Sequence, residues 1–288
     1  MTQPVNYTIN VHGTLIDLGR PQVMGILNVT PDSFYAGSRK QTEREIAERA
    51  CRIVEEGGSI VDVGAFSTRP GAPVVSEAEE MERLRRGLAT VRRVLPDAVL
   101  SVDTFRPDVA EEYGVGIIND VSEGNVGGAF GGTDASVYEN RGLAASGVPA
   151  MFAMVARLGV PYILMSLKPT LPEMLKAFAA EVQQLRDLGV KDIILDPGFG
   201  FGKTLEQNYA VIAGLDRMLC LGLPVLVGVS RKSMVWKLLG GGADDALTGT
   251  TVLHALALER GASILRVHDV RQAVEAVAVV GQMMSEEF

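Results

Sequence analysis

Short apolar runs alternate with longer amphipathic stretches along most of this chain. Apolar runs of this kind are typical of buried parallel strands, and the stretches with apolar residues every three or four positions are typical of helices that cover a sheet. The predicted strands are 23–27, 60–63, 99–102, 116–118, 161–165, 193–195, 226–229 and 264–267. The predicted helices are 43–56, 76–95, 107–113, 171–188, 205–219 and 270–284, the second opened by a capping box at Ser76–Glu79.

Repeated strand-and-helix units predict an α/β fold. Eight such units within 288 residues favour a (β/α)8 TIM barrel, formed by one domain that spans residues 1–288. The runs 7–10 and 14–18 flank His12-Gly13 and predict a short N-terminal β-hairpin. A doubly wound sheet is the weaker alternative, because no G-x-G-x-x-G follows the first barrel strand.

Residues 121–149 interrupt the alternation after the fourth barrel strand. The segment is rich in glycine and long for a connection between a strand and a helix. It is predicted to be an insertion, and two interpretations stay open. It is either a tolerated surface insertion or a mobile lid over the mouth of the barrel.

Composition and charge narrow the classes of partner. Hydrophobic content of 47% predicts a substantial core, and a net charge of −8 argues against a nucleic-acid surface. Cys51 and Cys220 provide neither a disulfide framework nor a metal motif. The N-terminus lacks the apolar core of a signal peptide, and the chain has no run of about 18 apolar residues. We therefore expect a cytoplasmic protein without a membrane partner.

Polar residues follow the predicted strands at the point where each ends. In a barrel, the carboxyl ends of the strands surround the mouth, where active sites lie. A lone aspartate at a strand end is often a helix N-cap, but several on one face point to a binding site. The predicted mouth residues are Asn28, Asp103, Asn119, Asp196, Lys232 and Arg266 or His268.

The residue types at the mouth favour a particular kind of ligand. Asp103, Asn119 and Asp196 suit an amino-heterocycle that presents N–H donors, with a lysine for its carbonyl oxygen. Arg266 and His268 share one side of their strand and, with the cations of 230–233, suit an anion. The stretch Gly202-Lys203-Thr204 does not complete a P-loop, because Pro197 stands where that motif needs glycine.

Several stretches together resemble dihydropteroate synthase. They occur in family order over nearly the whole chain, and the first and the fifth listed here are highly specific. They are MGILNVTPDSF (24–34), STRPG (67–71), SVDT (101–104), IIND (117–120), LDPGFGFGK (195–203), SRKS (230–233) and RVHDV (266–270).

The resemblance implies a transferase of folate biosynthesis, the target of sulfonamides, and a homodimer. The reaction it implies joins 6-hydroxymethyl-7,8-dihydropterin diphosphate to p-aminobenzoate, with Mg2+, and gives 7,8-dihydropteroate and pyrophosphate. Catalysis would fall to Lys232, Asp103, Asp196 and Arg266. The pterin site that the resemblance implies is formed by Asp103, Asn119, Met165, Asp196, Lys232 and Arg266. The implied diphosphate site is formed by Asn28, Arg266 and His268, with Asn28 as the metal ligand. The implied aminobenzoate site is formed by Phe34, Thr68, Arg69, Pro70, Phe199 and Ser233.

Three features depart from the family pattern. Phe66 stands where many members have glutamate, Ser166–Pro169 replaces the usual His-Met pair, and residues 121–149 have no common counterpart. We expect altered access to the pterin pocket rather than lost activity. The alternatives are a methyltetrahydrofolate methyl-transfer domain, which has no reason to keep Thr68–Pro70 and Arg266–His268, and a catalytically inactive pterin-binding paralogue.

Overall fold

The computed structural model of the chain describes residues 4–29, 38–66, 75–112, 116–124 and 148–285. It opens with an antiparallel hairpin of β1 (Thr8–Val11) and β2 (Thr14–Asp17). His12 and Gly13 form the turn, both with positive φ, as a tight hairpin requires. The predicted hairpin is therefore confirmed.

Eight parallel strands form the central sheet. Its strand order is β8-β7-β6-β5-β4-β3-β10-β9, and a bridge between Leu195 and Val225 joins β8 to the residue before β9, so that the sheet closes into a barrel. The predicted fold class is confirmed. The strands are β3 (Gln22–Asn28), β4 (Ile60–Gly64), β5 (Val99–Asp103), β6 (Ile117–Asp120), β7 (Tyr162–Met165), β8 (Ile193–Asp196), β9 (Leu226–Val227) and β10 (Ile264–Val267).

The lower half of the barrel interior is an apolar plug. Successive side chains of a strand point to opposite faces, so one residue of each strand enters this layer. The hairpin closes it from below, where Ile9, Val11 and Leu18 join the same cluster and Asn10 N–H donates to Asp192 at 2.9 Å. The barrel residues of the plug are the buried Met24, Ile60, Ile117, Ile163, Ile194, Leu226 and Ile264, with the partly buried Val99 from β5.

Helices cover the outside of the barrel and enclose the larger apolar core. Ser76 Oγ accepts the Glu79 N–H at the start of α2, while the Glu79 carboxylate pairs with Arg83. The reciprocal capping box occurs at Thr204 and Gln207. The helices are α1 (Ser38–Glu55), α2 (Glu77–Val94), α3 (Pro107–Glu112), α4 (Ala150–Leu158), α5 (Leu171–Asp187), α6 (Leu205–Ala213), α7 (Ser233–Leu239), α8 (Leu247–Glu259) and α9 (Val270–Ser285).

The structure corrects some predicted elements. The helix expected over 205–219 ends at Ala213, because Gly214 leaves helical geometry and a 3-10 helix, Leu215–Leu221, follows. The strand expected over 226–229 is limited to Leu226–Val227. Helices α4, α7 and α8 were not predicted. Of the predicted insertion, residues 125–147 lie outside the described residues, so both of its interpretations stay predictions.

Among the described helices, none combines the length and the apolar character that crossing a bilayer requires.

Candidate active site

A row of residues crosses four neighbouring strands at the carboxyl end of the barrel, with polar side chains on three of them. Strand register places Asn28 beside Gly64, Gly64 beside Asp103, and Asp103 beside Asn119. A β-carbon added to Gly64 would stand 3.6 Å from both Asn28 Oδ1 and Asp103 Oδ2. The glycine therefore keeps open the space between these side chains.

Asp62 lies inside the barrel, two residues before Gly64 on the same face of β4. It is fully buried, and its Oδ2 accepts Arg266 Nε–H at 2.6 Å and Asn119 Nδ2–H at 3.1 Å. The other side of the guanidinium donates from Nη2 to Asp103 Oδ2 at 2.6 Å. Arg266 thus lies between two carboxylates just above the apolar plug. Asp62 was not predicted as a site residue, although a lone acid in an apolar strand, in phase with Gly64, was a usable signal.

Three acceptor oxygens of this network have no hydrogen-bond partner among the described residues. They are Oδ1 of Asp62, Oδ1 of Asp103 and Oδ1 of Asn119, and all three are buried. A buried acceptor without a donor is costly to stability, so several together in one pocket indicate a ligand rich in N–H or O–H groups. We call these three oxygens the acceptor array.

The charges in the pocket shift each other's pKa values. Burial raises the pKa of Asp103 to about 7, although Arg266 opposes the shift. Burial by itself lowers the pKa of Arg266, but Asp62 and Asp103 outweigh it, so the pKa is raised above its usual value. Arg266 is therefore a permanent cation, whereas Asp103 can change its protonation state near neutral pH.

Asp196 and Lys232 form the opposite side of the mouth. Asp196 Oδ1 accepts the Gly198 N–H at 2.7 Å, and burial raises the pKa of Asp196 while nearby Lys232 lowers it. Lys232 Nζ donates to the Phe199 carbonyl and lies 4.7 Å from the centre of the Phe201 ring. Burial lowers the pKa of Lys232 to about 8. An ammonium group with a lowered pKa beside a buried carboxylate is typical of functional sites.

The turn after β8 packs directly against the end of β7. Gly198 has a φ of +66°, and a β-carbon there would lie 2.4 Å from the Ser166 carbonyl oxygen and 3.0 Å from Met165 Cγ. Met165 is fully buried at this contact. Phe199, the next residue, is also fully buried and belongs to the core between the sheet and the helices. Its carbonyl, rather than its ring, contacts Lys232.

The turn 230–233 is joined to the end of β10. Arg231 has a φ of +53° and makes a two-pronged ion pair with Asp269, at 2.8 and 2.9 Å. Ser230 Oγ accepts the His268 N–H at 3.1 Å, and Ser233 is the first residue of α7. These contacts hold Lys232 and His268 on two neighbouring, connected segments. The Arg231–Asp269 pair was not anticipated from the sequence.

Phe34, Thr68, Arg69 and Pro70 lie outside the described residues. Arginines bind the backbone on both sides of 67–74: Arg83 donates to the Ala65 carbonyl at 3.0 Å, and Arg106 donates to the Val75 carbonyl at 2.7 Å. Arg106 also pairs with the buried carboxylate of Glu80.

The mouth therefore combines acceptors, cations and an apolar surface. The acceptors suit a flat heterocycle with several N–H groups, Met165 can contact a ring face, and the cations suit an anionic group attached to it. Such a pocket, at the carboxyl end of a (β/α)8 barrel, is what a pterin-binding enzyme requires. The family model described as "Pterin binding enzyme" matches residues 24–268.

The chain belongs to the dihydropteroate synthase family, transferases of folate biosynthesis, as its motifs had indicated. It is 36% identical to the dihydropteroate synthase of Escherichia coli K12 over 291 residues, which covers 95% of each chain. The Yersinia pestis enzyme in complex with a sulfonamide drug superposes with a TM-score of 0.81, at 34% identity, over 97% of this chain and 100% of that one. The Xanthomonas albilineans enzyme with 4-aminobenzoic acid superposes with a TM-score of 0.80, at 34% identity, over 99% of this chain and 100% of that one.

Proposed function

We propose that this protein condenses 6-hydroxymethyl-7,8-dihydropterin diphosphate with p-aminobenzoate to form 7,8-dihydropteroate and pyrophosphate. The observation that carries the proposal is the acceptor array of Asp62, Asp103 and Asn119, which faces the mouth that also holds Lys232. A pterin presents its amino group and ring N–H groups along one edge and a carbonyl oxygen beside them. The acceptor array matches the N–H groups of this edge, and the Lys232 ammonium group matches the carbonyl oxygen beside them.

The pterin ring lies between Met165 and Arg266 in this proposal. Asp103, Asn119 and Asp196 accept the N–H groups of the ring, and Lys232 donates to its carbonyl oxygen. Asp62 adds a role that the motifs did not indicate, because it orients both Arg266 and Asn119 through Oδ2 while its Oδ1 stays free for a donor. A guanidinium fixed on two sides keeps its planar face available for stacking.

The diphosphate is bound by Asn28, Arg266 and His268, with Asn28 as a ligand of Mg2+. The site fits this ion, because Asn28 is exposed and offers a hard oxygen near Asp103, and Mg2+ commonly takes few protein ligands beside phosphate oxygens and water. When bound, Mg2+ neutralises charge on the diphosphate. Arg266 and His268 anchor the leaving group, which keeps it at the mouth rather than in the acceptor array.

The second substrate, p-aminobenzoate, is placed by Phe34, Thr68, Arg69, Pro70, Phe199 and Ser233. Arg69 pairs with its carboxylate. Phe199 contributes through its carbonyl, which holds Lys232, because its ring is buried in the core. Ser233 lies one residue past Lys232 at the start of α7 and links this subsite to the pterin pocket.

The reaction needs no protein nucleophile. The bond between the pterin methylene carbon and the diphosphate oxygen breaks, and its electron pair leaves with pyrophosphate. The carboxylates of Asp103 and Asp196 offset the positive charge that develops on the pterin. The arylamine nitrogen then bonds to the methylene carbon and loses a proton. The residues therefore act by positioning and by electrostatic stabilisation.

The quaternary state, location and domain extent remain part of the proposal. We propose a homodimer, because α7 and α8 expose apolar side chains that a second copy can cover. Cys51 and Cys220 are both free thiols, which agrees with a reducing, cytoplasmic environment. We also propose that residues 1–288 form a single barrel domain. The exposed large apolar residues of α7 and α8 are Leu238, Leu239, Val252 and Leu256.

Product analysis tests the proposed function. Purified protein is incubated with the pterin diphosphate, p-aminobenzoate and Mg2+, and the products are identified by liquid chromatography and mass spectrometry. Dihydropteroate is expected, and chelation of Mg2+ is expected to slow its formation. Pterin binding without product would favour an inactive paralogue, and binding of methyltetrahydrofolate in its place would favour a methyl-transfer domain.

A further inference from the structure

Glu123 stands out among the residues that the proposed reaction does not use. It follows β6 by three residues, is 5% exposed, and has a φ of +53°. A non-glycine residue in this left-handed region costs about 1 kcal/mol or more and persists where the surrounding contacts fix it. Its neighbours supply such contacts, because Asp120 accepts the N–H groups of Ser122 and Gly124, each at 2.8 Å.

The Glu123 side chain binds the turn that follows β7. Its Oε1 accepts Ser166 Oγ–H at 3.0 Å and Leu167 N–H at 2.7 Å, while its Oε2 pairs with Lys168 Nζ at 3.0 Å. The three bonds differ in burial. Ser166 is fully buried, whereas the Lys168 side chain is 43% exposed. The Oε1 contacts are therefore the ones that fix the turn.

This turn is in contact with the pocket proposed for the pterin. Ser166 N–H donates to the Asp196 carbonyl at 2.8 Å, and its own carbonyl lies against Gly198. Lys203 Nζ donates to the same Ser166 carbonyl at 3.3 Å and to the Gly198 carbonyl at 3.0 Å. Met165 immediately precedes Ser166. A displaced Ser166 would therefore move Met165 and the Asp196–Gly198 turn together.

We propose that Glu123 is a positioning residue for the pterin site, which holds Ser166 and Leu167 so that Met165 and Asp196 keep their places. This inference rests on the proposed function, because it takes the pterin diphosphate as the ligand of that pocket. The residue acts through Ser166 and does not touch the ligand. It also joins the segment after β6 to the one after β7, which carry two of the three departures from the family pattern noted in the sequence.

A set of variants separates positioning from general stability. Dissociation constants for the pterin diphosphate are measured by calorimetry, together with Michaelis constants for both substrates and melting temperatures. Glu123→Ala is expected to weaken pterin diphosphate binding about tenfold, with a much smaller change in the Michaelis constant for p-aminobenzoate. Glu123→Gln is expected to restore most of the affinity, since its amide oxygen can accept both Oε1 bonds. Lys168→Met, the matched control, is expected to bind like the wild type.

The outcomes distinguish this inference from the proposed function. Unchanged pterin affinity in Glu123→Ala, with a lower melting temperature, would overturn the positioning role and leave the synthase assignment intact. Equal losses in Glu123→Gln and Glu123→Ala would overturn the role of the Oε1 bonds. Absence of pterin binding in the wild type would overturn both. If Glu123→Ala fails to fold, Ser166→Ala provides the test: it removes one Oε1 bond, together with the bond that Ser166 Oγ accepts from Lys168 N–H, and is expected to weaken pterin binding by roughly two- to threefold.

Discussion

Arg266 and Asp62 form a buried ion pair, with 2.6 Å between Nε and Oδ2, and the same guanidinium reaches Asp103 from its other side. The two residues come from β10 and β4, which are separated in the sheet by β3. The pair therefore spans three strands at the level where the apolar plug gives way to the polar mouth. It fixes the cation that both the ring and the diphosphate are proposed to contact.

Replacing Asp62 with asparagine is expected to weaken pterin diphosphate binding by more than tenfold while the barrel still folds. The substitution keeps the shape but removes one of the two charges that hold Arg266, and losing one partner of a buried pair commonly costs about 3 kcal/mol or more. Calorimetric binding measures the effect. Asp192→Asn, which alters an acceptor below the plug, is the matched control and should bind normally. Normal affinity in Asp62→Asn would contradict the proposed orienting role.

Removing the Lys232 side chain should abolish turnover through loss of pterin binding. Lys232→Ala loses the donor proposed for the ring carbonyl and the cation beside Asp196. Lys237→Ala is the control, because that lysine is exposed on α7 beside Trp236. Since the pKa of Lys232 is about 8, the wild-type affinity should also fall as the pH rises through that value. Near-normal pterin affinity in Lys232→Ala would show that the lysine has another role.

Arg69→Ala should raise the Michaelis constant for p-aminobenzoate by about tenfold or more, because a charge-assisted contact with its carboxylate is lost. Binding of the pterin diphosphate alone should not change. Steady-state kinetics with each substrate varied in turn measures both effects, and Arg44→Ala, at an exposed pair with Glu48, provides the control. A defect in pterin binding instead would mean that the loop is assigned to the wrong substrate.

Gly198→Ala should cost more stability than Gly222→Ala, although both glycines have a φ of +66°. Both variants bear the strain of a positive φ, about 1 kcal/mol. Only Gly198 also brings a β-carbon to 2.4 Å from the Ser166 carbonyl, whereas Gly222 faces open space. Urea unfolding of the two variants isolates the clash. Equal losses of unfolding free energy would mean that the turn after β8 relaxes without disturbing Ser166.

The buried His254 should make the protein less stable in mild acid. Burial lowers its pKa to about 4, and neither ring nitrogen has a hydrogen-bond partner among the described residues. The unfolded chain therefore binds more protons between about pH 6.5 and 4, so this contribution is complete above pH 6.5 and is lost as the pH falls. Relative to His254→Met, the wild type should lose about 2 kcal/mol more between pH 7 and 5. If the wild type and His254→Met lost the same unfolding free energy between pH 7 and 5, the result would contradict a neutral buried imidazole.

The sequence was most informative where one physical constraint dominated. The repeated strand-and-helix units predicted the barrel, and the strand ends placed Asp103, Asn119, Asp196 and Arg266 together at the mouth, where the structure has them. The two-residue alternation of side chains along β4 would have given Asp62, but that residue lies inside the apolar run of its strand rather than at its end. Its role depends on Arg266, more than 200 positions away, and such a pairing is visible only in three dimensions.

Elements without a single apolar face were the ones missed. Helix α8 buries Leu253 and Ala257 but exposes Val252 and Leu256, so its sequence gives no clear helical stripe. A capping box was predicted at Ser76, but there the Glu79 side chain pairs with Arg83, one turn away, and does not complete the box. The reciprocal capping box is found at Thr204 and Gln207. Glu123 carried no sequence signal, since its partners lie on another strand end.

Pyrophosphate release from the pterin diphosphate, followed with and without p-aminobenzoate, tests whether this mouth is a synthase active site. Sustained release is expected only when both substrates are present, with one dihydropteroate formed for each pyrophosphate. Release that does not depend on p-aminobenzoate, or tight pterin binding without release, would contradict the assignment of this mouth as a synthase active site.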